Sequence, residues 1–269
     1  MDDTTRALAR RTAVEAATTA AAIAHEGFLA PRQITAKGHN DIVTEIDLAA
    51  EETICRALGA AFPADGILAE ERGQSAGDSP YLWIIDPLDG THNYANQLPF
   101  WCVSIARYNA ETRQVELGVI ADPLHGETYV AERGQGAELN GRPIQVSRIT
   151  DMQQSIIGCD IGYAQTISAR MLRTAVQVQP DVRRLRILGS AVLAMAYVAC
   201  GRLDMFFHLH LQPWDLAAAW LLIEEAGGRC TNWRGEPTTL EDREIVAGPP
   251  ALQHALIDRL LNLGEDSAS

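Results

Sequence analysis

The chain has 269 residues, of which 47% are hydrophobic and 21% are charged, which is typical of a soluble globular protein with one large domain or two small ones. Its formal net charge of −13 argues against wrapping nucleic acid or docking on anionic lipid, because both carry the same sign, so we expect no nucleic-acid or membrane partner. The five cysteines are widely spaced without a C-x-x-C pair, which argues against a disulfide framework or a structural zinc site.

The start of the chain does not resemble a secretory signal. Residues 1–3 are acidic at two positions, and Glu15 interrupts the first apolar stretch. The longest nearly apolar run, from Ile187 to Cys200, is too short to span a bilayer. We therefore expect a cytoplasmic protein.

The N-terminal half begins with predicted helices and continues with strands. Residues 4–29 are rich in alanine at helical spacing, which predicts a long helix ending near Gly27. Residues 44–61 predict a second helix, and Thr44 with Asp47 resembles a capping box in which Asp replaces the usual Glu. The strands predicted in this half are 66–69, 81–85, 101–108, 114–121 and 127–132.

Turn signals separate these strands. Asn140-Gly141 predicts a two-residue β-hairpin, and residues 72–80 predict an exposed loop. The run from Tyr81 to Ile85 is apolar throughout, which predicts a strand that is buried on both faces.

The C-terminal half alternates between strands and helices. Its predicted strands are 155–159, 184–188, 203–207 and 244–247, and its predicted helices are 165–178, 190–200, 215–226 and 250–263. This alternation indicates an α/β layer. We therefore interpret residues 1–269 as one unit, with an N-terminal α+β half (1–150) and a C-terminal α/β half (151–269).

Three separate segments place carboxylates at strand ends or helix starts. They are Glu70-Glu71, the run from Asp86 to Thr91, and Trp214-Asp215. Asp86 follows the buried strand, and ligands of open α/β sheets collect beyond the carboxyl ends of strands. Asp86 and Asp89 lie across a Pro- and Gly-containing turn, so they can converge on one point, and a hard cation such as Mg²⁺ would relieve their repulsion.

Each segment also has a purely structural interpretation. The Asp86–Thr91 run could be a surface turn, and the Glu-Glu pair could lie on a solvated face. Asp215 could be a helix N-cap, which is compatible with metal binding if its second oxygen stays free. Asp47 could serve only as the capping partner of Thr44.

Two signatures resemble those of the inositol monophosphatase family. Residues 86–94 match D-P-[IL]-D-G-T-x-N-[FY], and residues 214–219 with 225–228 match W-D-x-A-A-[GA] followed by E-A-G-G. The likeness runs from Lys37 to the C-terminal helix. It implies a layered αβαβα sandwich of the inositol monophosphatase and fructose-1,6-bisphosphatase type, within the α/β (α+β) class.

The resemblance also implies roles for individual residues. Glu70, Asp86 and the carbonyl of Leu88 would hold one Mg²⁺, and Asp86, Asp89 and Asp215 would hold a second. A third ion would depend on Glu70 and water. The implied catalytic residues are Asp47, Thr91 and Glu70, with Thr91 orienting the attacking water, and the implied substrate-binding residues are Gly90, Thr91, Ala191, His208 and Asp215. Members of the family are commonly homodimers and often Li⁺-sensitive.

The chain departs from the family pattern around the substrate. His208 stands where many members carry a Glu that contacts substrate hydroxyls, and an ordinary histidine would change charge near neutral pH. We expect His208 to face the substrate and His210 to pack or cap, rather than the two forming a metal site. Ala194 stands where members often have Asp or Asn, and Ala219 replaces a commoner Gly.

Three hypotheses of function follow from these residues. The first is Mg²⁺-dependent hydrolysis of inositol monophosphate to inositol and phosphate by activated water. The second keeps the metal site with another substrate, namely fructose-1,6-bisphosphate, histidinol phosphate or a 3′-phosphoadenosine nucleotide. The third is a non-catalytic interaction protein on the same scaffold. A generic Mg²⁺ or Ca²⁺ protein of the EF-hand kind lacks its expected loop spacing here.

Overall fold

The computed structural model describes residues 2–30, 34–38 and 41–265. The helices are α1 (Asp3–Gly27), α2 (Glu45–Ala61), α3 (Thr91–Ala95), α4 (Gln165–Val178), α5 (Ala191–Ala199), α6 (Pro213–Glu225) and α7 (Pro250–Glu265). The first eight strands are β1 (Ile34–Gly38), β2 (Asp41–Thr44), β3 (Gly66–Ala69), β4 (Gly73–Ser75), β5 (Tyr81–Asp89), β6 (Cys102–Asn109), β7 (Gln114–Asp122) and β8 (Glu127–Glu132). The others are β9 (Gly136–Leu139), β10 (Arg142–Pro143), β11 (Ile156–Cys159), β12 (Arg184–Ile187), β13 (Met205–His208), β14 (Arg229–Thr231) and β15 (Ile245–Gly248).

Two large sheets organise the described residues. One has eight strands in the order β10-β9-β8-β7-β6-β5-β3-β4, and the other has five in the order β12-β11-β13-β15-β14. In the small sheet β11 is parallel to both β12 and β13, so the carboxyl ends of these three strands meet at one edge.

Helices cover both sheets in alternating layers. Trp83 and Ile85 of β5 pack with α1 and α2, whereas Ile84 faces the opposite way, into a core shared with α5 and α6. The core shared with α5 and α6 also includes Phe206 of the five-stranded sheet. The opposite face of this sheet packs against α4 and α7. The order of layers is therefore α1/α2, large sheet, α5/α6, small sheet, α4/α7, which is the expected αβαβα sandwich. The even burial of β5 follows from having helices on both faces.

Most of the predicted elements are confirmed, with five short exceptions. The hairpin at Asn140-Gly141 forms with φ of 50° and 74°, as a type I′ turn requires. Gly73–Ser75 was expected in an exposed loop, but it pairs with β3 as an edge strand. The strands β1 and β2, the helix α3 and the strand β14 were not predicted, because segments of this length carry too little periodicity. The side chains of Lys37 and Asp41 lie outside the described residues.

Candidate active site

An irregularity in β5 turns Asp86 and Asp89 towards the same side. Asp86 pairs with Ser104 and Asp89 pairs with Cys102, so three steps along β5 match two steps along β6. Side chains alternate between the faces of a regular strand, and Asp86 and Asp89 would therefore point in opposite directions. The extra residue of the bulge restores a common face. The strand thus continues past Asp86, where the sequence indicated a turn after the strand end.

Parallel pairing brings Glu70 beside this bulge. Ala69 of β3 pairs with Ile85 of β5, and the N–H of Glu70 donates to the carbonyl oxygen of Ile85 at 3.2 Å. Glu70 therefore sits next to Asp86 at the carboxyl ends of two parallel strands. Glu51 of α2 fixes the next residue, because its Oε2 accepts the N–H of Glu71 at 2.8 Å.

Asp215 completes the cluster from the start of α6. This helix packs across β5, β6 and β7, which directs its first turn towards the bulge. Ligand oxygens of Asp86, Asp89 and Asp215 all lie within 4.8 Å of one another. These three carboxylates form the acidic cluster.

Burial and mutual repulsion raise the pKa values of the carboxylates in the acidic cluster. Burial, followed by the charges of Glu70, Asp89 and Asp215, raises the pKa of Asp86 well above its usual value. Burial also raises the pKa of Asp89 to about 6, and burial and the charge of Asp89 raise that of Asp215. Converging carboxylates that resist ionisation fit a site for a divalent cation, which would supply the missing positive charge.

Each carboxylate of the cluster has one oxygen held by the protein. The Oδ1 of Asp86 accepts the N–H of Leu88 at 2.9 Å, and the Oδ2 of Asp215 accepts the N–H of Gln212 at 2.7 Å. The Oδ2 of Asp89 accepts the hydroxyl of Ser190 and, at 2.9 Å, the N–H of Val192. Within the described part of the chain, no hydrogen-bond donor reaches the second oxygen of any of the three. The carboxylates are thus oriented, with one oxygen each left for a ligand.

Asp215 therefore combines the two interpretations that the sequence allowed. The helix α6 begins at Pro213, so Asp215 lies in its first turn rather than at the N-cap, and it caps backwards onto Gln212. The oxygen used for capping is not the oxygen left for a ligand, because Oδ2 alone takes the N–H.

Asp47 also divides its oxygens between two tasks. Its Oδ2 accepts from both the N–H and the hydroxyl of Thr44, which forms the predicted capping box of α2. Its Oδ1 accepts the hydroxyl of Thr91 at 3.1 Å. The hydroxyl of Thr91 also lies 3.1 Å from the carbonyl oxygen of Leu88. Asp47 is fully buried, and burial raises its pKa against the hydrogen bonds from Thr44 and Thr91.

The predicted substrate-binding residues Gly90 and Ala191 stand at two neighbouring helix starts. Gly90 precedes α3 with φ of 95°, and a Cβ placed there would lie 3.1 Å from the carbonyl oxygen of Gly189. Ala191 is the first residue of α5, whose N-cap Ser190 bonds to Asp89. The starts of α3 and α5 therefore adjoin the acidic cluster.

Comparison with known proteins places the chain among phosphatases. The model of the inositol monophosphatase family matches residues 7–265. The chain belongs to the inositol monophosphatase family.

Relatives and solved structures of similar proteins cover nearly the whole chain. The inositol-1-monophosphatase of Mesorhizobium japonicum is 40% identical over 227 residues, which are 84% of this chain and 85% of the relative. The Nus factor SuhB of Escherichia coli is 37% identical over 250 residues, or 91% of this chain and 92% of the relative. Among solved structures, the extragenic suppressor protein SuhB of Bartonella henselae has a TM-score of 0.89 at 34% identity, covering 93% of this chain and 97% of the other. The Thermotoga maritima IMPase TM1415 has a TM-score of 0.87 at 31% identity, covering 94% and 96%.

Membership of the inositol monophosphatase family supports a phosphatase, and this family is metal-dependent in general. The acidic cluster provides a place where such a metal could bind. Among the described helices, none is both long and apolar enough to cross a bilayer.

His208 differs from what the sequence suggested. It ends β13 with 2% of its surface exposed, and burial with the nearby His210 lowers its pKa to about 3. The expectation that its charge changes near neutral pH is therefore wrong, because a desolvated imidazole stays neutral. The side chain of His210 is exposed rather than packed, while its N–H donates to Nδ1 of His208 at 3.0 Å. Ala194 is buried in the core shared by α5 and α6, where Ala219 also lies.

Two further residues at the site were not predicted. Asp160 follows β11 directly, its Oδ1 accepts the N–H of Ile161 at 2.8 Å, and its charge contributes to the raised pKa of Asp89. The signal that could have revealed it is the one used for Asp86, an acidic residue at the end of a short apolar strand. The ring of Tyr163 packs against that of His92, next to Thr91, with centroids 5.7 Å apart. Partial burial, followed by the charges of Asp215, Asp89 and Glu70, raises the pKa of Tyr163, although about half of its surface is exposed.

Other residues of the first family signature hold the site together. The side-chain amide of Asn93 donates to the carbonyl oxygens of Phe100 and Leu188, both at 2.7 Å. The hydroxyl of Tyr94 donates to the carbonyl oxygen of Ala24 in α1 at 2.8 Å. These bonds connect the bulge region to the small sheet and to the outer helix layer, respectively.

Proposed function

We propose that this protein is a Mg²⁺-dependent phosphatase that hydrolyses inositol monophosphate to inositol and phosphate. The observation that carries the proposal is the convergence of Asp86, Asp89 and Asp215 within 4.8 Å, each with an oxygen left for a ligand. All-oxygen ligands favour Mg²⁺ over softer metals. With Glu70 and the carbonyl of Leu88, these residues would hold two or three ions. Mg²⁺ held there would make an attacking water more acidic and would neutralise charge on the phosphoryl oxygens.

Thr91 and Asp47 would position and deprotonate the attacking water. If the carbonyl of Leu88 is a metal ligand, the single hydroxyl proton of Thr91 goes to Oδ1 of Asp47. The lone pairs of the Thr91 oxygen then accept a hydrogen bond from water. A proton lost by the water can pass through Thr91 to Asp47, whose burial makes it a better proton acceptor than an exposed aspartate.

The phosphate would bind where the helices α3 and α5 begin. The N–H groups of Gly90 and Thr91 at the start of α3 would bind the anion, and the adjoining Ala191 would contact the substrate from the start of α5. Asp215 and His208 would contact the alcohol part of the substrate. Glu70 would assist catalysis from beside Asp86.

Phosphate release from inositol 1-phosphate, measured with and without Mg²⁺, tests this proposal. We expect release only with Mg²⁺, and we expect Asp89→Asn to lose nearly all activity because it removes a ligand charge. Full activity in Asp89→Asn would contradict the proposed mechanism.

Another substrate on the same metal site is a second candidate, and His208 favours it. The side chain is a neutral imidazole at the position where the family resemblance implies a Glu. Comparison of kcat/KM for inositol 1-phosphate, fructose-1,6-bisphosphate, histidinol phosphate and 3′-phosphoadenosine 5′-phosphate would rank the substrates. A preference of tenfold or more for one of the last three would replace inositol monophosphate as the substrate.

A role as a Nus factor is a candidate of another class, since the E. coli relative carries that name. Binding alone would not require the whole acidic cluster together with Asp47 and Thr91, which supports catalysis. Complementation of a strain that lacks this gene, once with the wild type and once with Asp89→Asn, separates a catalytic role from a Nus-factor role. Rescue by both chains would indicate a role that does not need phosphatase activity.

The remaining family properties are also proposals. We propose a cytoplasmic homodimer, inhibited by Li⁺, that acts on a small phosphate monoester without nucleic-acid or membrane partners. Light scattering on the purified chain would test the dimer, and Li⁺ titration of the phosphatase assay would test the inhibition. The division at residue 150 into two halves of one unit likewise stays a prediction.

A further inference from the structure

Arg243 lies beside the loop that leads into α6. His208 at the end of β13 pairs with Ile245 at the start of β15, so antiparallel pairing brings the segment before β15 to the carboxyl end of β13. There the N–H of Leu211 donates to the carbonyl oxygen of Arg243 at 2.7 Å. Arg243 is therefore a neighbour of the first turn of α6, where Asp215 joins the acidic cluster.

The guanidinium of Arg243 is oriented by one of its nitrogens. Its Nη1 donates to the carbonyl oxygen of Leu211 at 3.2 Å and to Oε1 of Gln212. The N–H of Gln212 donates in turn to Oδ2 of Asp215 at 2.7 Å, so Gln212 stands between the guanidinium and a carboxylate of the acidic cluster. The positive charge of Arg243 acts on Asp215 and partly opposes the rise of its pKa.

This guanidinium has no acidic partner. Acidic residues outnumber Lys and Arg by 35 to 22, and Arg10, Arg133 and Arg202 each form an ion pair with a glutamate. In the part of the chain that the structure describes, no carboxylate pairs with Arg243, and no acceptor reaches its Nε or Nη2. The side chain is exposed, so these donors are open to a molecule that enters from solvent. An oriented and unpaired guanidinium beside an active site is suited to an anionic ligand.

We propose that Arg243 binds a second anionic group, phosphate or carboxylate, on the alcohol part of the phosphate monoester. The proposal rests on the phosphatase function proposed above and adds a class of substrate to it. The acidic cluster would hold, through Mg²⁺, the phosphoryl group that is hydrolysed, while Nε and Nη2 of Arg243 would donate two parallel hydrogen bonds to the second anion. Without this cation, a chain with a net charge of −13 would repel a second negative charge.

Pairs of substrates that differ in the second anion test this role. Fructose 1,6-bisphosphate is compared with fructose 1-phosphate, and 6-phosphogluconate with glucitol 6-phosphate, so the first pair tests a phosphate and the second a carboxylate. For the wild type with Mg²⁺ we expect kcat/KM to be about tenfold higher for the doubly anionic member of at least one pair, as one charge-assisted hydrogen bond would give.

The outcomes separate this role from the proposed function. Equal or lower values for the doubly anionic member in both pairs would overturn the role of Arg243, as would release of phosphate from inositol 1-phosphate but from no member of either pair. No Mg²⁺-dependent release from any of these substrates, inositol 1-phosphate included, would instead contradict the proposed function.

Arg243→Gln removes the charge and provides the decisive variant. We expect the ratio of kcat/KM within a pair to fall to about one or below, because only repulsion by the chain remains. A general loss of activity through the loop before α6 affects both members of a pair and leaves their ratio unaltered. Arg243→Lys keeps the charge and should retain part of the preference. A wild-type ratio in Arg243→Gln would overturn the proposal.

Arg142→Gln is the matched control for the loss of one positive charge. Arg142 is exposed on β10, at the far edge of the eight-stranded sheet from the active site. Its replacement changes the net charge as Arg243→Gln does, and it should keep the wild-type ratio. A ratio that falls equally in both variants would assign the preference to net charge and overturn the role of Arg243.

The salt dependence of the wild type covers the case in which Arg243→Gln does not fold. Salt screens the attraction between an exposed guanidinium and an anion, so the ratio should fall as NaCl is raised from about 0.05 M to about 0.5 M. If no cation faced the second anion, the same salt would screen only its repulsion by the negatively charged chain, and the ratio would rise. A ratio that rises or stays constant would overturn the proposal.

Discussion

The hydroxyl of Thr91 lies 3.1 Å from Oδ1 of Asp47, while Oδ2 of the same carboxylate holds the start of α2. One buried aspartate thus joins the active site to the end of a helix. The two tasks use different oxygens, so they can be separated by mutation.

Replacement of Asp47 by Asn should impair both tasks. An amide does not take up the proton, so proton transfer is lost in either orientation, and its single acceptor oxygen cannot serve both the helix start and Thr91. We expect kcat to fall about 10²-fold or more, and the free energy of unfolding to fall by about 1 kcal/mol. Steady-state kinetics at saturating Mg²⁺ and thermal unfolding check the two effects. Thr44→Ala is the control, because it weakens the capping of α2 and should keep kcat. A wild-type kcat in Asp47→Asn would exclude Asp47 from proton transfer.

Removal of the Ser190 hydroxyl should weaken metal binding. This hydroxyl donates to Oδ2 of Asp89 and thereby orients the oxygen left for a ligand. Loss of such a partner typically costs about 10-fold or more in metal affinity. We expect Ser190→Ala to need about tenfold more Mg²⁺ for half-maximal activity. Asp2→Ala, which removes the cap of α1 far from the site, should leave the Mg²⁺ dependence unchanged, and an unchanged dependence in Ser190→Ala would contradict the prediction.

Glu51 should support Glu70 through the backbone. It is 1% exposed, and its Oε2 holds the N–H of Glu71 at 2.8 Å. Glu51→Ala leaves that N–H without its acceptor, so we expect unfolding free energy to fall by about 1–3 kcal/mol and the Mg²⁺ requirement to rise. The neighbouring Glu52 makes an exposed ion pair with Arg72, and Glu52→Ala should change stability by less than about 1 kcal/mol. Similar effects of the two substitutions on both measurements would refute the supporting role.

Stability without metal should decrease as the pH rises. The pKa of Asp89 is about 6 in the folded chain against 3.8 for an ordinary aspartate, and those of Asp86 and Asp215 are also raised. Between pH 3.8 and 6 the folded state therefore holds more protons than the unfolded state. The stability that comes from the raised pKa of Asp89 is fully present below pH 3.8 and is lost as the pH rises through 6. Bound Mg²⁺ should offset the repulsion between the ionised carboxylates, so the rise in Tm on adding Mg²⁺ should be larger at pH 7.5 than at pH 5. A rise that does not depend on pH, measured by calorimetry, would contradict this account, and Asp89→Asn should show a smaller difference between the two pH values.

The sequence by itself determined the main helices and strands and, through the family resemblance, the layers of the fold and the chemistry of the cluster. Helical spacing in residues 4–29 and the apolar run from Tyr81 to Ile85 predicted α1 and the centre of β5, because burial on one or two faces leaves a periodic pattern. The paired signatures identified Asp86, Asp89 and Asp215 as carboxylates for one metal site, which is consistent with their convergence.

Only the tertiary structure decided how these residues meet and what lies around them. The bulge that turns Asp86 and Asp89 to one face depends on pairing with β6, which no local pattern records. Asp160 approaches Asp89 because parallel pairing brings distant strand ends together. The neutral state of His208 comes from burial and from a backbone N–H. Residue type is written in the sequence, whereas the direction of a side chain and its protonation depend on neighbours that folding supplies.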